Sequence, residues 1–564
     1  MKVHAPTIFY HPEAYSTQGN KLMGRNAAGE SFLSGFLTNS TPSERLWVQV
    51  HERADAKQFV ESARTLGCNQ PISVIDYSSI SANKNSGLLY YPGPDICDQA
   101  RYRSLHGGAL WSICGITHTT SSLRAMDSIT DWLTEPVEEW DAVICTSNAV
   151  KSNVENILQA RIEELKQRLG IARITVPKLP VIPLGLDTQR FSFTEKDKNA
   201  ARAKFGIPHD AITILYAGRL SFHAKANPVQ MYSCLESAAS ATKQKIYLIE
   251  SGWFANESIE AAFEEAARHL CPSITRLPVD GRNKDNHKNA WAAADIFCSL
   301  SDNIQETFGI VPLEAMASGL PLIVTDWDGY RDTVRDGVDG FRVPTISPRA
   351  GLGADLAYHH ATGVDSYDMY CGNNSNLVSV SESALRNAFV ELIGSSSLRS
   401  KFGDSGKEHV RDNYDWKTII PRYEELWSEL ATIRKASLHS QVSNHARDGK
   451  DTRGVWPARL DPTLSFGQYP TAQLTENTVF TIWTGNFDLA FGKYKKQTRL
   501  RMVNYTNLII PAEDEVKQVI INATASHPEP ATADRLLYKV SALRKPYVLR
   551  SLAWLCKIGI LEFK

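Results

Sequence analysis

Apolar and polar positions alternate along residues 7–436 in a way that predicts a parallel α/β protein. Short apolar runs, each long enough for one buried strand, are separated by longer amphipathic stretches typical of helices. Open α/β sheets bind ligands at the carboxyl ends of their strands, so candidate chemistry is sought where each run stops. The runs that predict strands lie at 7–10, 73–76, 88–91, 111–118, 141–145, 211–220, 245–252, 274–279, 295–300, 322–325 and within 334–343.

The stretch at 299–345 is the most informative part of this pattern. A buried strand ends there, a polar loop follows, and Pro312 suits the first turn of a helix that Gly319 ends. A helix N-terminus offers unpaired N–H groups and partial positive charge, which suits a diphosphate. Glu306 and Glu314 bracket this turn with seven residues between them.

Each of these glutamates alone has an ordinary explanation, Glu314 as a helix-start residue and Glu306 as a solvated loop residue. Together with Phe308-Gly309 between them and the following Ala-Met-Ala-Ser-Gly-Leu-Pro, they resemble the E-x7-E signature of retaining nucleotide-sugar glycosyltransferases of the large family-4 type. That resemblance covers about 1–436. It implies the GT-B fold, in which two Rossmann-like, doubly wound parallel-sheet domains face each other across a cleft.

Composition sets the remaining bounds on the class of protein. The chain has 564 residues, 43% hydrophobic and 22% charged, with net charge −1, which gives no general case for nucleic acid. No apolar run of about 18 residues is present. The N-terminus lacks the apolar core of a secretory signal, and nine scattered cysteines are typical of reduced core residues. We therefore expect a cytoplasmic protein, with a peripheral position at the inner face of the membrane as the alternative.

In the first domain the candidate residues follow strands. Gly24 and Gly29 lie in a turn that enters a helix after the first strand, but the pattern is neither G-x-G-x-x-G nor a P-loop, so nicotinamide and kinase functions find no support. The resemblance implies that this glycine-bearing loop, with Gly24, faces the donor. His118 ends a strand; a lone histidine is usually structural, yet the family has one near the reacting carbon.

In the second domain, Arg219 and Lys225 follow a strong strand, where a planar fork and a mobile point charge would suit a diphosphate. The resemblance implies that these cations neutralise the departing nucleotide, although Lys225-Ala226 departs from the family's Lys-Gly. It also implies that the amides of Phe308, Gly309 and Ile310 face the sugar and diphosphate. No Asp-x-Asp is found where a metal would be needed, so we predict neither metal nor cofactor beyond the nucleotide sugar.

The predicted domains are 1–190 on the acceptor side, 191–415 for the nucleotide sugar, a crossover helix at 416–436, a linker at 437–454 and an accessory module at 455–564. From residue 441 onward there are 17 Lys and Arg against 11 Asp and Glu, a net +6 that leaves −7 for the remainder. Predicted helices at 514–525, 533–544 and 547–557 and a terminal strand make this module mainly helical and winged-helix-like in pattern. Packing or protein binding is favoured over nucleic acid as its role.

The resulting hypothesis is a metal-independent retaining transferase that moves a sugar from a UDP- or GDP-sugar to a hydroxyl of a glycan, lipid carrier or protein, in glycan, polysaccharide or glycoconjugate synthesis. By resemblance, Glu306 binds the donor sugar and supports charge at the reacting carbon, and Glu314 holds the ribose. A catalytically inactive GT-B-fold binding protein, with the tail as an interaction module for a protein partner, is the alternative. A glycogen-synthase-like enzyme would share the chemistry but need a polymer acceptor.

Overall fold

The protein forms two compact units, residues 1–456 and 457–564, which are described separately. The computed structural model describes residues 5–16, 24–445, 456–506 and 508–564, with the backbone alone at 439–445. Within those residues no helix has both the length and the apolar character needed to cross a bilayer.

The first domain is a six-stranded parallel sheet with the order β3-β2-β1-β4-β5-β6. Helices cover the sheet on both faces, so its strands read as nearly continuous apolar runs. Its strands are β1 (Thr7–Tyr10), β2 (Leu46–Val50), β3 (Ile72–Ile75), β4 (Leu88–Tyr90), β5 (Ser112–Ile116) and β6 (Ala142–Ile144). Its helices are α1 (Pro12–Tyr15), α2 (Gly24–Asn39), α3 (Arg53–Thr65), α4 (Cys97–Ser104), α5 (Leu123–Asp131) and α6 (Asn148–Leu169), with a 3₁₀ turn at Ile80–Asn85.

The second domain repeats this topology with the order β12-β11-β10-β7-β8-β9, also parallel. Two sheets with the doubly wound order confirm the predicted fold class. The strands are β7 (Ile212–Ala217), β8 (Ile246–Gly252), β9 (Thr275–Asp280), β10 (Ile296–Ser299), β11 (Leu322–Thr325) and β12 (Gly340–Val343), followed by a small pair, β13 (Thr345–Ile346) and β14 (Ser379–Val380). The helices are α7 (Glu195–Phe205), α8 (Val229–Thr242), α9 (Glu257–Leu270), α10 (Lys284–Ala293), α11 (Ile310–Ala317), α12 (Tyr330–Thr333), α13 (Ala354–Thr362), α14 (Tyr367–Ser375), α15 (Glu382–Gly394) and α16 (Ser396–Asn413), with a 3₁₀ turn at Thr188–Phe191.

A long helix, α17 (Trp416–His445), returns from the second domain to the first. The indole of Trp416 donates a hydrogen bond to Ser31 Oγ on α2 at 2.9 Å, and buried Tyr423 and Trp427 pack beside Tyr90. The helix runs past residue 436, so the first part of the predicted linker is helical. These polar residues lack an apolar face, and that is why their pattern did not predict helix. Residues 446–455 lie outside the described part of the chain.

The C-terminal unit has a hydrophobic core of its own, built from side chains between Phe480 and Leu561. A three-stranded antiparallel sheet has β15 (Val479–Ile482) in the middle, between β16 (Ala531–Thr532) and β17 (Leu561–Phe563). The predicted helix at 533–544 is helical only at its start, and Lys539 has a φ of 72° in the turn that follows. The helices are α18 (Pro462–Ser465), α19 (Phe487–Gln497), α20 (Glu513–Ser526), α21 (Ala533–Leu536) and α22 (Lys545–Lys557).

Candidate active site

The loop between β10 and α11 lies at the carboxyl edge of the second sheet, and Gly309 shapes it. Gly309 is the N-cap of α11 with a φ of 75°, and a Cβ there would lie 2.0 Å from Cε1 of Tyr330. Only glycine fits such a conformation and approach. Phe308 is buried, so its side chain anchors the turn while the first amides of α11 have no acceptor inside the helix. The structure therefore brings Phe308, Gly309 and Ile310 together at one helix N-terminus.

Glu306, Lys225 and Arg219 meet around this loop. Lys225 Nζ lies 2.5 Å from Glu306 Oε2, and both side chains are partly shielded from solvent. Arg219 donates a hydrogen bond to Gln305 Oε1 at 2.8 Å and another to the carbonyl of Ala224 at 3.3 Å. Two cations from the loop after β7 thus contact the two residues that precede Thr307. Lys225 reaches Glu306 although the residue after it is Ala226, where the family has glycine.

Glu314 lies in the second turn of α11, is partly buried, and has no side-chain hydrogen bond or ion pair among the described residues. Burial raises the pKa of its carboxyl group to about 8. A shielded carboxyl group without a protein partner is costly unless something else satisfies it. Such a group beside a helix N-terminus can accept hydrogen bonds from the hydroxyls of a bound molecule.

His118 faces the same loop from the first domain. Its carbonyl accepts a hydrogen bond from Thr307 Oγ1 at 2.5 Å, and Ser147 Oγ donates to the carbonyl of Thr307 at 2.7 Å. Burial, and then the charge of Arg25, lower the pKa of His118 to about 4. The imidazole is therefore neutral near pH 7, when it can donate from one nitrogen and accept at the other.

The glycines of the first domain differ in what surrounds them. A Cβ on Gly24 would meet none of the described atoms within 4 Å, and Leu22 and Met23, which begin the predicted turn, lie outside the described part of the chain. Gly29 instead packs α2 against α1, because a Cβ there would lie 1.9 Å from the carbonyl oxygen of Ala14. Helix packing therefore accounts for the glycine at position 29. Asp187 caps the turn at Thr188–Phe191 by accepting from the amide of Gln189.

Three further residues near the loop were not predicted. Asp302 is buried, and its burial raises the pKa to about 7. Asp328 has a φ of 45°, and burial followed by the charge of Glu306 raises its pKa to about 8. Tyr367 on α14 lies 2.9 Å from Ser121 Oγ in the first domain. The Asp-Gly pair at 328–329 is a turn signal in the sequence, but only tertiary contacts reveal Tyr367.

The segment that holds these residues is similar to a known protein family. Residues 197–350, which include Arg219, Lys225, Glu306 and Glu314, match the family model described as Glycosyl transferases group 1. Over this segment, which is less than half of the chain, the protein is similar to that family. The group 1 segment holds both glutamates of the signature and both cations, whereas His118, α13 and α14 lie outside it.

Individual proteins that resemble this chain match it over limited lengths. A D-inositol 3-phosphate glycosyltransferase of Geodermatophilus obscurus is 32% identical over 30% of this chain and 37% of its own length. A phosphatidyl-myo-inositol mannosyltransferase of Mycobacterium leprae is 31% identical over 25% of this chain and 29% of its own length. The matches thus span well under two thirds of either relative. A solved glycosyltransferase structure from Rickettsia africae has 13% identity and a TM-score of 0.48, over 75% of this chain and 98% of that one.

Proposed function

We propose that this protein is a retaining glycosyltransferase that moves a sugar from a nucleotide diphosphate sugar to an acceptor hydroxyl. The observation that carries the proposal is that Lys225 and Arg219 contact Glu306 and Gln305 just before α11, while Glu314 in the second turn of that helix has no side-chain partner among the described residues. One helix end and two cations suit a diphosphate, and two carboxyl groups suit hydroxyls on either side of it. The glycosyltransferase and the mannosyltransferase that resemble this chain support this class of reaction.

In this mechanism the second domain stabilises the leaving group. As the bond between the sugar and the diphosphate breaks, negative charge grows on the diphosphate, and Arg219, Lys225 and the first amides of α11 stabilise it. Glu306 binds donor sugar hydroxyls and supports positive charge at the reacting carbon, and Glu314 accepts hydrogen bonds from the ribose. Neutral His118 orients a sugar hydroxyl from the other domain. We assign no metal to these steps.

The acceptor is a hydroxyl of a glycan, a lipid carrier or a protein. We assign no general base to this chain, because an oxygen of the donor's own phosphate can take the acceptor proton. The hydroxyl oxygen then attacks the reacting carbon on the face that the diphosphate leaves. The new glycosidic bond therefore keeps the donor's anomeric configuration.

The test uses the purified chain and a panel of UDP- and GDP-sugars. We expect one donor to raise the melting temperature and to be hydrolysed slowly without acceptor, giving a sugar whose first-formed anomer matches the donor. Chelator should leave this activity unchanged. Activity that is lost with chelator and restored by manganese or magnesium would refute the metal-free mechanism. A panel without binding or hydrolysis would favour the inactive binding protein.

A further inference from the structure

Helix α14 lies where the two domains of the first unit meet, and it follows the segment that matches the group 1 family. That match ends at residue 350, before α13 and α14 begin. Buried Cys371 and Gly372 hold α14 against the second domain, where a Cβ on Gly372 would lie 3.2 Å from Cβ of His223. His223 belongs to the loop after β7, between Arg219 and Lys225. Helix α14 therefore packs on the loop that carries both cations.

The first residue of this helix, Tyr367, reaches across to the other domain. Its hydroxyl lies 2.9 Å from Ser121 Oγ and 3.2 Å from Thr119 Oγ1, and these two side chains lie 3.1 Å from each other. Ser366 caps the helix by accepting from the amide of Met369, so the position of Tyr367 is fixed at a well-formed helix start. The phenol is half-buried, and burial raises its pKa, so the hydroxyl keeps its proton and can donate.

Polar contacts continue from Tyr367 to the diphosphate side of the site. Gln305 lies close enough to the Tyr367 phenol to lower its pKa slightly, against the larger effect of burial, and Arg219 donates to Gln305 Oε1 at 2.8 Å. The side chains of Arg219 and Gln305 thus lie on one side of Tyr367, and Thr119 and Ser121 lie on the other. The residue that precedes Thr119 is His118, whose carbonyl is held from the other side by Thr307. The backbone around His118 is therefore held by two contacts from the second domain.

We propose that Tyr367 is a positioning residue for the transfer reaction, which holds the Thr119–Ser121 loop and thereby places His118 against the donor sugar. This proposal rests on the proposed function, because it assigns the role of Tyr367 at the same site. Tyr367 touches neither the diphosphate nor the reacting carbon in this account. It acts through Thr119 and Ser121, while the hydrogen bond from Thr307 to the carbonyl of His118 makes the placement of His118 depend also on the loop that binds the donor.

The variant Tyr367→Phe removes the hydroxyl and keeps the ring, and Tyr358→Phe, at an exposed tyrosine on α13, is the matched control. We expect Tyr367→Phe to lower kcat for transfer roughly tenfold, because a hydrogen-bonded group that orders the site is lost. Affinity for the nucleoside diphosphate should stay within about twofold, since the cations are kept. The ratio of donor hydrolysis to transfer should rise, and Tyr358→Phe should match wild type throughout.

Hydrogen exchange gives a measurement that needs no turnover. In the unliganded protein the amides near Thr119–Ser121 should exchange faster in Tyr367→Phe than in wild type or in Tyr358→Phe. The double variant Ser121→Ala with Tyr367→Phe should transfer no more slowly than Tyr367→Phe alone, because the two changes remove the same contact, between Tyr367 and Ser121. An active wild type with an equally active Tyr367→Phe variant would overturn the positioning role alone. A wild type that turns over no donor would instead overturn the proposed function, and the positioning role with it.

Discussion

The two six-stranded sheets have the same strand order, yet their carboxyl edges carry different side chains. At the second sheet, Arg219 and Lys225 lie beside Glu306, and all three are ionic groups paired with a loop neighbour. At the first sheet, the groups facing them are His118 and the hydroxyls of Thr119, Ser121 and Ser147. Burial and Arg25 lower the pKa of His118 to about 4, so the imidazole, like the hydroxyls, meets the loop as a neutral hydrogen-bonding group.

In the proposed mechanism this difference gives the two domains separate tasks. Stabilising a leaving diphosphate needs fixed positive charge, which Arg219 and Lys225 supply at the edge of the second sheet. Orienting sugar hydroxyls needs neutral donors and acceptors, which do not compete with the cations for the diphosphate. One topology therefore provides two unlike half-sites because its loops, rather than its strands, carry the chemistry. The comparison can be tested one side at a time.

The largest expected effect is at the charged edge. Arg219→Ala should lower kcat by two to three orders of magnitude and raise the dissociation constant of the donor much less, because charge on the diphosphate grows towards the transition state. Removing one such donor typically costs about 3 kcal/mol of barrier. Steady-state kinetics and calorimetry with the donor measure the two quantities.

The control for Arg219→Ala is Arg268→Ala, at an exposed arginine on α9. This variant should behave like wild type in both measurements. An Arg219→Ala variant that loses donor affinity as strongly as turnover would mean that the arginine binds the ground state and the transition state equally. The division of tasks would then lose its electrostatic basis.

The next largest expected effect is a loss of nucleotide affinity when Glu314 is substituted. Burial raises the pKa of its carboxyl to about 8, so the group is protonated at pH 7 in the empty protein. Ribose hydroxyls favour the carboxylate form, so binding should release a proton near pH 7. Glu314→Gln should abolish this release and weaken the affinity for the nucleoside diphosphate roughly tenfold to a hundredfold.

Calorimetry at pH 7 in two buffers of different ionisation enthalpy measures both the proton release and the affinity. Glu265→Gln, on the exposed side of α9, is the matched control and should leave both unchanged. Unchanged affinity in a folded Glu314→Gln variant would exclude the ribose role. Proton release that persists in the variant would come from another group, such as Asp302.

The part of the charged half-site from Glu306 to Glu314 could be predicted from sequence because it is local, whereas the contacts of Arg219 and Lys225 with this loop span more than 80 residues. Strands β7, β10 and β11 are short apolar runs, and Glu306, Gly309 and Glu314 follow one of them within a single turn and helix. Strand β2 was missed because Gln49 interrupts its apolar pattern. That glutamine is buried and hydrogen-bonded to Gln99 and Asn83, residues distant in sequence. Tyr367 could not be predicted for the same reason, since its partners Thr119 and Ser121 belong to another domain.

Asp328 lies where the two edges meet, because its carboxyl group accepts a hydrogen bond from Ser147 of the first domain. Substitutions there test this contact through stability rather than activity. At Asp328 the φ of 45° favours glycine, and the pKa of about 8 lies above the ordinary 3.8 because of burial and then Glu306. The folded protein keeps this proton between pH 4 and 8 while the unfolded chain loses it, so stability falls as pH rises through that window. Asp328→Gly should raise the free energy of unfolding at pH 6 by about 1 kcal/mol through relief of strain and further through removal of the buried ionisable group, and by still more at pH 9.

Urea denaturation at the two pH values makes the measurement, and Asp328→Asn separates the two contributions. Asparagine keeps the side chain in the left-handed conformation but cannot ionise, so it should reproduce the pH dependence of Asp328→Gly with a smaller gain at pH 6. A loss of stability in both variants at pH 9 would mean that the carboxyl group makes a native contact worth more than its burial costs. Its hydrogen bond from Ser147, at 3.4 Å, would then be the candidate.

The smallest expected effect on the donor reaction comes from removing the C-terminal unit. Its buried side chains form their own core, and every proposed donor-site residue lies between Gly24 and Glu314. A chain that ends after His445 keeps the whole of α17, including Arg434, which is buried and donates to the carbonyls of Ala109 and Leu110. We therefore expect this truncation to fold, with the melting temperature and the rate of donor hydrolysis close to those of the full chain.

A second truncation, after Thr432, removes Arg434 and should lower the melting temperature by several degrees, because the buried carbonyls lose their donor. The basic tail should matter instead for an anionic partner or carrier, with binding that weakens as salt rises. A chain ending after His445 that aggregates would show that the tail covers an apolar surface of the enzyme; a soluble but inactive one would show that the donor reaction needs residues beyond the two sheets.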